Sequence, residues 1–410
     1  MQKNNYNWFD NNENWKDKLK EAISGLDYTN LATDLDSQSV KELYGDTLKT
    51  SVSRLEQYRN CPFSYYLKYG LKLQEEQELS LKPIDTGSFM HEVIDEFFKA
   101  YEDVYLREVS DEEIQNSIYE IIDKKLNLPK NYIFTSTPKF VNMTLRLKKV
   151  IVSSIKYIVY QLKNSSFKIL GNEMEFKEGK DYPPIIMELE NGEKIEITGK
   201  IDRVDIAIAD NKKYVRIVDY KSSVKNIDLN KVVNGLQIQL LTYLDSITKI
   251  EDVLPAGVMY FNLIEPMVKD SKNLTDEEIE CKIREQFKMK GLILADVKVV
   301  RMMDNKLQTG RSDIIAAEIS SKDEKISERG GNPITEEEFM KLQKQVRKNI
   351  IEISREILSG KIDIKPFKNG KKTPCEYCSY RAICRFNTNV KGNEYFKIAQ
   401  KKKREILESI

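Results

Sequence analysis

Three cysteines occupy ten positions near the C terminus, and this cluster constrains the fold more than any other feature of the sequence. The spacing Cys375-x2-Cys378-x5-Cys384 is compact, so we predict that the three thiolates share a metal. Four-cysteine sites need one more ligand, which either Cys61, placed before a proline turn, or Cys281, within a charged helical segment, could supply. We favour Cys61, because the turn leaves its side chain able to point at a site. Zinc and an iron–sulfur cluster would serve equally well to tie positions 314 residues apart.

Charge and hydropathy give weaker signals. Basic and acidic residues are nearly balanced, 66 against 65, but twelve of the basic residues and only two acids fall between positions 365 and 404. Such a segment either neutralises phosphates or forms a solvated face. No apolar run approaches the roughly 18 residues that span a bilayer, and the start lacks a basic region followed by an apolar stretch. We therefore predict a cytoplasmic protein, whose reducing surroundings keep thiols available for metal.

Hydrophobic periodicity predicts an α/β fold. The pattern is polar and helix-like over the first fifty residues, and an aromatic-rich helix interrupted at Pro62 follows. The period is helical from about 87 to 163 and then changes to two, with the apolar face switching parity near Asp202. The order of strands and helices predicts a mixed sheet flanked by helices. The later predicted elements are strands at 214–220 and 256–263, helices at 236–247 and 335–358, and an irregular connection at 301–335.

The strand that ends in Asp219-Tyr220-Lys221 carries the first catalytic candidates. Alternation places Asp219 and Lys221 on one face, and a buried carboxylate needs a partner, which is either the neighbouring lysine or a cation. Asp202 stands on the preceding strand and supplies a second carboxylate if the two strands are neighbours. Two carboxylates suit Mg²⁺, and Lys221 could stabilise charge at a phosphate. A plain salt bridge at a fraying strand end is the alternative for Asp219 and Lys221.

Three more polar side chains are candidates. His91, the only histidine, lies beside an apolar helical stripe, where it either packs or binds a metal. A nitrogen ligand would predict good activity with Mn²⁺. Gln239 and Tyr243 share a helix face, as a helix rim or as hydrogen-bonding partners of DNA or of the lysine. No phosphate-binding P-loop is present, so the chain is predicted not to hydrolyse ATP by itself.

Together these residues resemble a known family. Gly87-x3-His91, Gly199-x2-Asp202, Asp219-Tyr-Lys221 and Gln239-x3-Tyr243, with the cysteines, are similar to the RecB-like branch of the PD-(D/E)XK nucleases with an iron–sulfur cluster. Stretches such as SVSRLEQYRNCPFSYYLKYGLKL, GKIDRVD and VDYKSS look like the nuclease region of B subunits of AddAB-type helicase–nucleases. The match runs from about Ser51 to Phe386.

The resemblance implies roles for these residues. It implies a restriction-endonuclease-like core with a helical insertion, Lys221 as the catalytic lysine, and a structural [4Fe–4S] cluster. It also implies an exonuclease that trims the 5′-terminated strand at double-strand breaks for recombinational repair, beside a helicase A subunit that carries the ATP motor. The metal ligands implied are His91, Asp202, Asp219 and the carbonyl of Tyr220, and the cluster ligands are Cys61, Cys375, Cys378 and Cys384.

The resemblance also sets domain boundaries. We predict a helical leader at 1–50, a remnant of a helicase-like region, then the nuclease domain at 51–386 and a basic helical tail at 387–410. Because B subunits are longer, the chain is expected to be a fragment, a late-start gene product or a free-standing nuclease. Two other functions stay open, a Cas4-like iron–sulfur nuclease and a non-catalytic DNA-binding module held by zinc.

Overall fold

The computed structural model of the chain describes residues 13–25, 29–74, 80–101, 103–190, 192–268 and 274–410. Residues 1–12 and 26–28 of the predicted leader lie outside that part. The described residues form two compact units. The larger unit comprises Asp46–Glu56, Glu76–Ser354 and Gln400–Ile410, and the smaller comprises Met1–Gly45, Gln57–Glu75 and Arg355–Ala399, as far as these are described.

A run of helices between residues 83 and 163 precedes a run of strands, as the sequence predicts. The strands are β1 (Thr47–Ser51), β2 (Lys168–Phe176), β3 (Ile185–Glu188), β4 (Lys194–Ala209), β5 (Lys212–Lys221), β6 (Leu254–Asn262), β7 (Lys290–Leu294), β8 (Gly310–Arg311), β9 (Glu318–Ile319) and β10 (Asn332–Ile334). The α-helices are α1 (Glu13–Ser24), α2 (Ser37–Tyr44), α3 (Val52–Asn60), α4 (Pro62–Tyr65), α5 (Pro83–Ala100), α6 (Asp103–Leu106), α7 (Asp111–Leu126), α8 (Pro138–Lys163), α9 (Leu229–Val233), α10 (Gln239–Ile250), α11 (Asp276–Phe287), α12 (Val297–Met303), α13 (Glu336–Leu358), α14 (Arg381–Cys384) and α15 (Lys403–Glu408).

A mixed sheet forms the centre of the larger unit, which confirms the predicted fold class. Its strand order is β1-β4-β5-β6-β7-β10, and β2 and β3 also pair with β4. The pairs β1/β4, β5/β6 and β7/β10 are parallel, whereas β4 runs antiparallel to β2, β3 and β5. The apolar strand β6 is buried along nearly its whole length, as expected of an interior strand. Helix α10 packs on β5 and β6, and α5 packs on β2.

The predicted change of face near Asp202 is wrong. Strand β4 continues from Lys194 to Ala209, and its odd-numbered residues stay buried beyond Asp202. Two of these buried positions hold charged residues, Arg203 and Asp205, each 0% exposed. Ile208, which the apolar pattern assigned to the buried face, is 68% exposed. Hydrophobic alternation failed here because a buried ion pair, rather than apolar side chains, fills the inner face.

Both ends of the nuclease prediction differ in detail. Residues 47–50, assigned to the leader, belong to β1, a short polar strand in which Leu48 is deeply buried. In the predicted tail the described helix is the short α15, which packs on α9 through the buried Ile406 and Leu407. The predicted boundaries at 50 and 386 stay predictions. Within the part of the chain that the structure describes, no helix is long and apolar enough to cross a membrane.

Candidate active site

The two predicted carboxylates meet where the ladder between β4 and β5 ends. Arg203 pairs with Val218 in the last registered step, and Asp202 and Asp219 follow immediately on the two antiparallel strands. The Oδ2 atom of Asp202 accepts the backbone N–H of Tyr220 at 2.7 Å. A side chain therefore replaces the next ladder bond and fixes the two carboxylates side by side.

Asp219 and Lys221 form the ion pair that alternation predicted. The side chain of Asp219 is 6% exposed and that of Lys221 is 26% exposed, so the pair lies at the edge of the buried interior. Burial, joined by the negative charge of Asp202, raises the pKa of Asp219, and the positive charge of Lys221 opposes this rise. The acid is thus held in a charged state that the fold itself disfavours, which is a property of functional sites.

His91 reaches the same place from α5. Its Nδ1 atom lies 3.4 Å from Asp202 Oδ1, and its Nε2 atom lies 3.2 Å from the carbonyl oxygen of Tyr220. Burial by itself lowers the pKa of His91, but the hydrogen bond to Asp202 and the charges of Asp202 and Asp219 outweigh it and leave the pKa raised. The helix buries its apolar stripe and presents the imidazole at the edge, so packing and contact with the acids coexist.

Glu173 is a site residue that sequence reasoning missed. It lies in β2 with a left-handed backbone, φ 52°, although it is not a glycine. One carboxylate oxygen is 3.6 Å from His91 Nδ1, and Glu173 also forms an ion pair with Lys200. Such a conformation is costly for a non-glycine residue and is found at functional sites. The sequence around it, GNEMEF, carried no spacing signal that could have singled it out.

The donor set fits a divalent cation. The ligand atoms of His91, Glu173 and Asp202 all lie within 4.8 Å of one another. Carboxylate oxygens suit Mg²⁺, and one imidazole nitrogen is compatible with Mn²⁺ as well. Asp219 and the carbonyl of Tyr220 border this group, since Asp219 acts electrostatically on His91 and the carbonyl touches its ring.

Tyr220 is held in place from its other side. Its buried hydroxyl accepts a hydrogen bond from Arg203 Nη1 at 3.3 Å. Arg203 and Arg216 in turn flank Asp205, with Nε-to-oxygen distances of 3.0 and 2.8 Å. This fully buried group of charges fixes the ring of Tyr220, and thereby the N–H and carbonyl that face Asp202 and His91.

Gln239 and Tyr243 stand on α10 behind the strands. Burial raises the pKa of the Tyr243 phenol to about 12, and hydrogen bonding with Gln239 and the backbone of Lys200 opposes this rise. The hydroxyl lies against Gly199, where an added Cβ would overlap it. Tyr243 is therefore buried against β4, and the predicted contact of this pair with DNA stays a prediction.

Glu56 is a second residue that the sequence did not single out. Its buried Oε1 atom accepts the backbone N–H groups of Ile238 and Gln239, at 2.7 and 3.0 Å. A carboxylate thus caps the start of α10, where the helix dipole favours negative charge. Burial raises the pKa of Glu56, and the charges of Lys225 and Lys221 oppose this.

The smaller unit brings the four predicted cluster cysteines together. Burial raises the pKa of Cys61 to about 12, and smaller contributions come from Cys375, Cys378 and Cys384, so all four thiols lie within electrostatic reach. Cys61 precedes α4 with an extended backbone, and Cys384 ends α14. By contrast, Cys281 is an exposed residue of α11 and belongs to the larger unit.

The spacing of these sulfurs bears on the metal. Among the described residues, no three cysteine Sγ atoms form a group within 4.8 Å, whereas the acid and histidine ligands do. Zinc bonds of about 2.3 Å in tetrahedral geometry would place neighbouring sulfurs about 3.8 Å apart. A cubane cluster, with its ligands on separate iron atoms, spaces them more widely. The four thiolates are thus candidate ligands of a shared metal centre.

Comparison with known proteins gives consistent matches. A family model described as the PD-(D/E)XK nuclease superfamily matches residues 49–385. A protein of Clostridium novyi (strain NT), named as the B subunit of an ATP-dependent helicase/deoxyribonuclease, is 41% identical, over 98% of this chain and 36% of its own length. Proteins of the same name from Clostridium acetobutylicum and Thermoanaerobacter sp. (strain X514) are 39% and 38% identical, over 99% and 98% of this chain and 36% and 35% of their own lengths. The chain thus spans about a third of the length of these relatives.

Proposed function

The chain belongs to the PD-(D/E)XK nuclease superfamily, and on this premise we propose that it is the metal-dependent DNA exonuclease module of a helicase–nuclease. The observation that carries the proposal is the meeting of His91, Asp202 and Asp219 beside Lys221. Each residue comes from a different stretch of the chain, and the buried acids are costly unless a cation joins them.

The residues have distinct parts in this proposal. His91, Asp202, Asp219 and the Tyr220 carbonyl would hold Mg²⁺ or Mn²⁺, with Glu173 next to them. When bound, the divalent ion supplies charge neutralisation at the scissile phosphate and an acidified water. Lys221 orients the attacking water and places its ammonium against the charge that develops on the phosphate oxygens. Gln239 and Tyr243 hold β4 in register behind the acids.

The proposed biological role follows the names of the relatives. Those proteins are called B subunits of an ATP-dependent helicase/deoxyribonuclease. We assign to this chain the cleavage of DNA at double-strand break ends during recombinational repair, with trimming of the 5′-terminated strand. A helicase A subunit would supply ATP hydrolysis as the heterodimer partner, in the reducing cytoplasm.

The cysteine site completes the proposal. Cys61, Cys375, Cys378 and Cys384 would hold a [4Fe–4S] cluster with a structural role. The acids Asp202 and Asp219 beside Lys221 speak against the zinc-held binding module, because a protein that only binds DNA needs no acids facing phosphate. The Cas4-like alternative is also less supported, because the relatives named as helicase/deoxyribonuclease B subunits match over 98–99% of the chain.

Cleavage of end-labelled DNA tests the proposal. The purified protein with Mg²⁺ or Mn²⁺ is expected to shorten single-stranded and duplex substrates, and Asp219→Ala is expected to abolish this. If the wild-type protein left both substrates intact, or if Asp219→Ala cleaved them equally well, the nuclease function would be wrong. Labels at the 5′ and 3′ ends separately report the polarity.

A further inference from the structure

The segment that follows β5 carries a second lysine, which the nuclease proposal does not use. We infer that Lys225 is a second phosphate-binding group of the active site and contacts the DNA strand beside the phosphate that Lys221 faces. This inference rests on the proposed nuclease function. The inference places the DNA backbone along the side of the active site that Lys221 and Lys225 form.

The two lysines converge on one aromatic ring. Lys221 Nζ lies 5.9 Å and Lys225 Nζ lies 5.0 Å from the ring centre of Tyr260. The ring is fixed, because its hydroxyl accepts a hydrogen bond from Gln237 Nε2 at 3.0 Å and Tyr260 is 2% exposed. The ring attracts both ammoniums, and the charge of Lys221 acts on Lys225, so the two lysines lie within electrostatic reach of each other.

The backbone of the segment is anchored on both sides of Lys225. The N–H of Lys225 donates to Asn262 Oδ1 at 3.1 Å. Gln237 accepts from the N–H of Asp228 at 3.0 Å and donates to the carbonyl of Asn226 at 2.9 Å. Residues 222–224 of this segment are exposed, whereas Lys225 itself is half-buried. The segment therefore holds Lys225 in place and does not release it into solvent.

The charges around Lys225 favour the binding of an anion at this position. Burial and the positive charge of Lys221 lower the pKa of Lys225, against the effects of Glu56 and Asp219. The carboxylate of Glu56 already accepts two backbone N–H groups at the start of α10. Among the ion pairs formed by described residues, none uses Lys225 Nζ. Two neighbouring ammoniums repel each other, and a phosphate between or beside them relieves that repulsion.

The chemistry suits a nucleic-acid backbone. An ammonium is a compact charge with three donors, which binds non-bridging phosphate oxygens without reading sequence. When Lys221 stands at the scissile phosphate, an adjacent cation holds the neighbouring phosphate and fixes the register of the strand. Lys225 is then a substrate-positioning residue, whose loss weakens DNA binding as well as turnover.

Lys225→Ala tests the inference, with Lys213→Ala as the control, because Lys213 is an exposed lysine near the start of the preceding strand, β5. We expect kcat/KM for end-labelled single-stranded DNA to fall roughly ten- to a hundred-fold in Lys225→Ala, as for the loss of one charged hydrogen bond. Lys225→Arg should recover part of the loss. In EDTA, the slope of log affinity against log salt should become shallower by about 0.7 for one lost phosphate contact.

A neutral phosphate identifies the contact directly. Methylphosphonate placed at successive positions of the oligonucleotide should weaken wild-type binding at one position near the cleaved bond and should leave Lys225→Ala insensitive there. If Lys225 had only a structural role, as the cation that offsets the charge of Glu56, the result would differ. The double variant Glu56→Gln/Lys225→Met, which removes both charges, would then regain wild-type kcat/KM. Either of two results would overturn the inference and leave the nuclease function standing. One is that recovery, and the other is an unchanged kcat/KM and salt slope in Lys225→Ala while wild type cleaves DNA. Failure of wild-type cleavage would instead remove the proposed function itself.

Discussion

The carboxylate of Asp202 closes the β4–β5 ladder by accepting the backbone N–H of Tyr220 at 2.7 Å. Its other oxygen lies 3.4 Å from the imidazole of His91. One side chain therefore does two things, since it ends the sheet pairing and faces the group that fits a cation. This double role allows structural and catalytic contributions to be separated by substitution.

Asp202→Asn and Asp202→Ala should differ in stability and agree in activity. The amide oxygen of asparagine can still accept the Tyr220 N–H, but alanine leaves this donor without its acceptor, at a cost of about 1–3 kcal/mol. Both variants remove the charge and should lose cleavage by roughly a hundred-fold or more. Chemical denaturation and initial rates on end-labelled DNA measure the two effects. Equal stability of the two variants would show that the hydrogen bond matters little.

Asp219→Asn is expected to stabilise the metal-free protein while destroying activity. The raised pKa of Asp219 means that the folded chain disfavours its ionised form, so this group reduces stability as pH rises through its folded-state pKa. Below the unfolded pKa, about 3.9, the group is protonated in both states and the penalty is absent. In EDTA at pH 8, the variant should melt roughly one to a few degrees higher than wild type.

The same comparison has a built-in control. The gain of Asp219→Asn should shrink as the pH is lowered toward 5, and Mg²⁺ should stabilise wild type more than the variant, because a bound cation relieves the same repulsion. A lower melting temperature for the variant at pH 8 in EDTA would contradict the interpretation of Asp219 as a buried acid whose ionised form destabilises the fold.

Each of the four grouped cysteines should be needed for the cluster, and the fifth should not. Anaerobically purified wild type is expected to be brown, with visible absorption and bound iron. Cys61→Ser and Cys378→Ser should lose most of both, whereas Cys281→Ser should keep them, since Cys281 is an exposed residue of α11. A colourless, zinc-loaded wild type would contradict the cluster assignment, and full iron in Cys61→Ser would remove Cys61 from the ligand set.

Gly199→Ala should disturb the site through Tyr243. A Cβ at position 199 would overlap the Tyr243 hydroxyl, so β4 or α10 must shift. We expect a loss of about 1–3 kcal/mol in the free energy of unfolding, typical of overpacking, together with reduced activity. Tyr243→Phe removes the nearest of the overlapping atoms and leaves two closer-than-normal ring carbons, so the double variant should recover part of the loss and be more stable than the sum of the two single changes predicts. If the changes in the free energy of unfolding are additive, the effect of Gly199→Ala does not arise from its contact with Tyr243.

The sequence predicted the central strands β4, β5 and β6 and the pairing of Asp219 with Lys221 because these signals are local. Asp219 and Lys221 lie two positions apart on one strand, and the order of these strands along the chain followed from apolar periodicity. Glu173 escaped prediction because its role depends on a left-handed backbone opposite Asp202, which no spacing encodes. Glu56 escaped for a similar reason, since it acts on Ile238 and Gln239, more than 180 positions away.

The burial of charged side chains was the second feature that could not be predicted from the sequence. The inner face of β4 was predicted to change parity because the apolar residues Val204, Ile206 and Ile208 fall on even-numbered positions. In the structure Asp205 pairs with two buried arginines, so Arg203 and Asp205 belong to the interior. Pairing across strands decides whether a charge can be buried, and that pairing is set by the register of the sheet rather than by the sequence of one strand.

The most direct test of the nuclease site compares Lys221→Met with Lys213→Met. Both lysines belong to β5, but Lys221 pairs with Asp219 at its end, whereas Lys213 is exposed near its start. Initial rates of Mg²⁺-dependent cleavage of end-labelled DNA are the measurement. We predict a loss of roughly a hundred- to a thousand-fold for Lys221→Met and no change for Lys213→Met. Wild-type rates in Lys221→Met, with the variant folded, would contradict it.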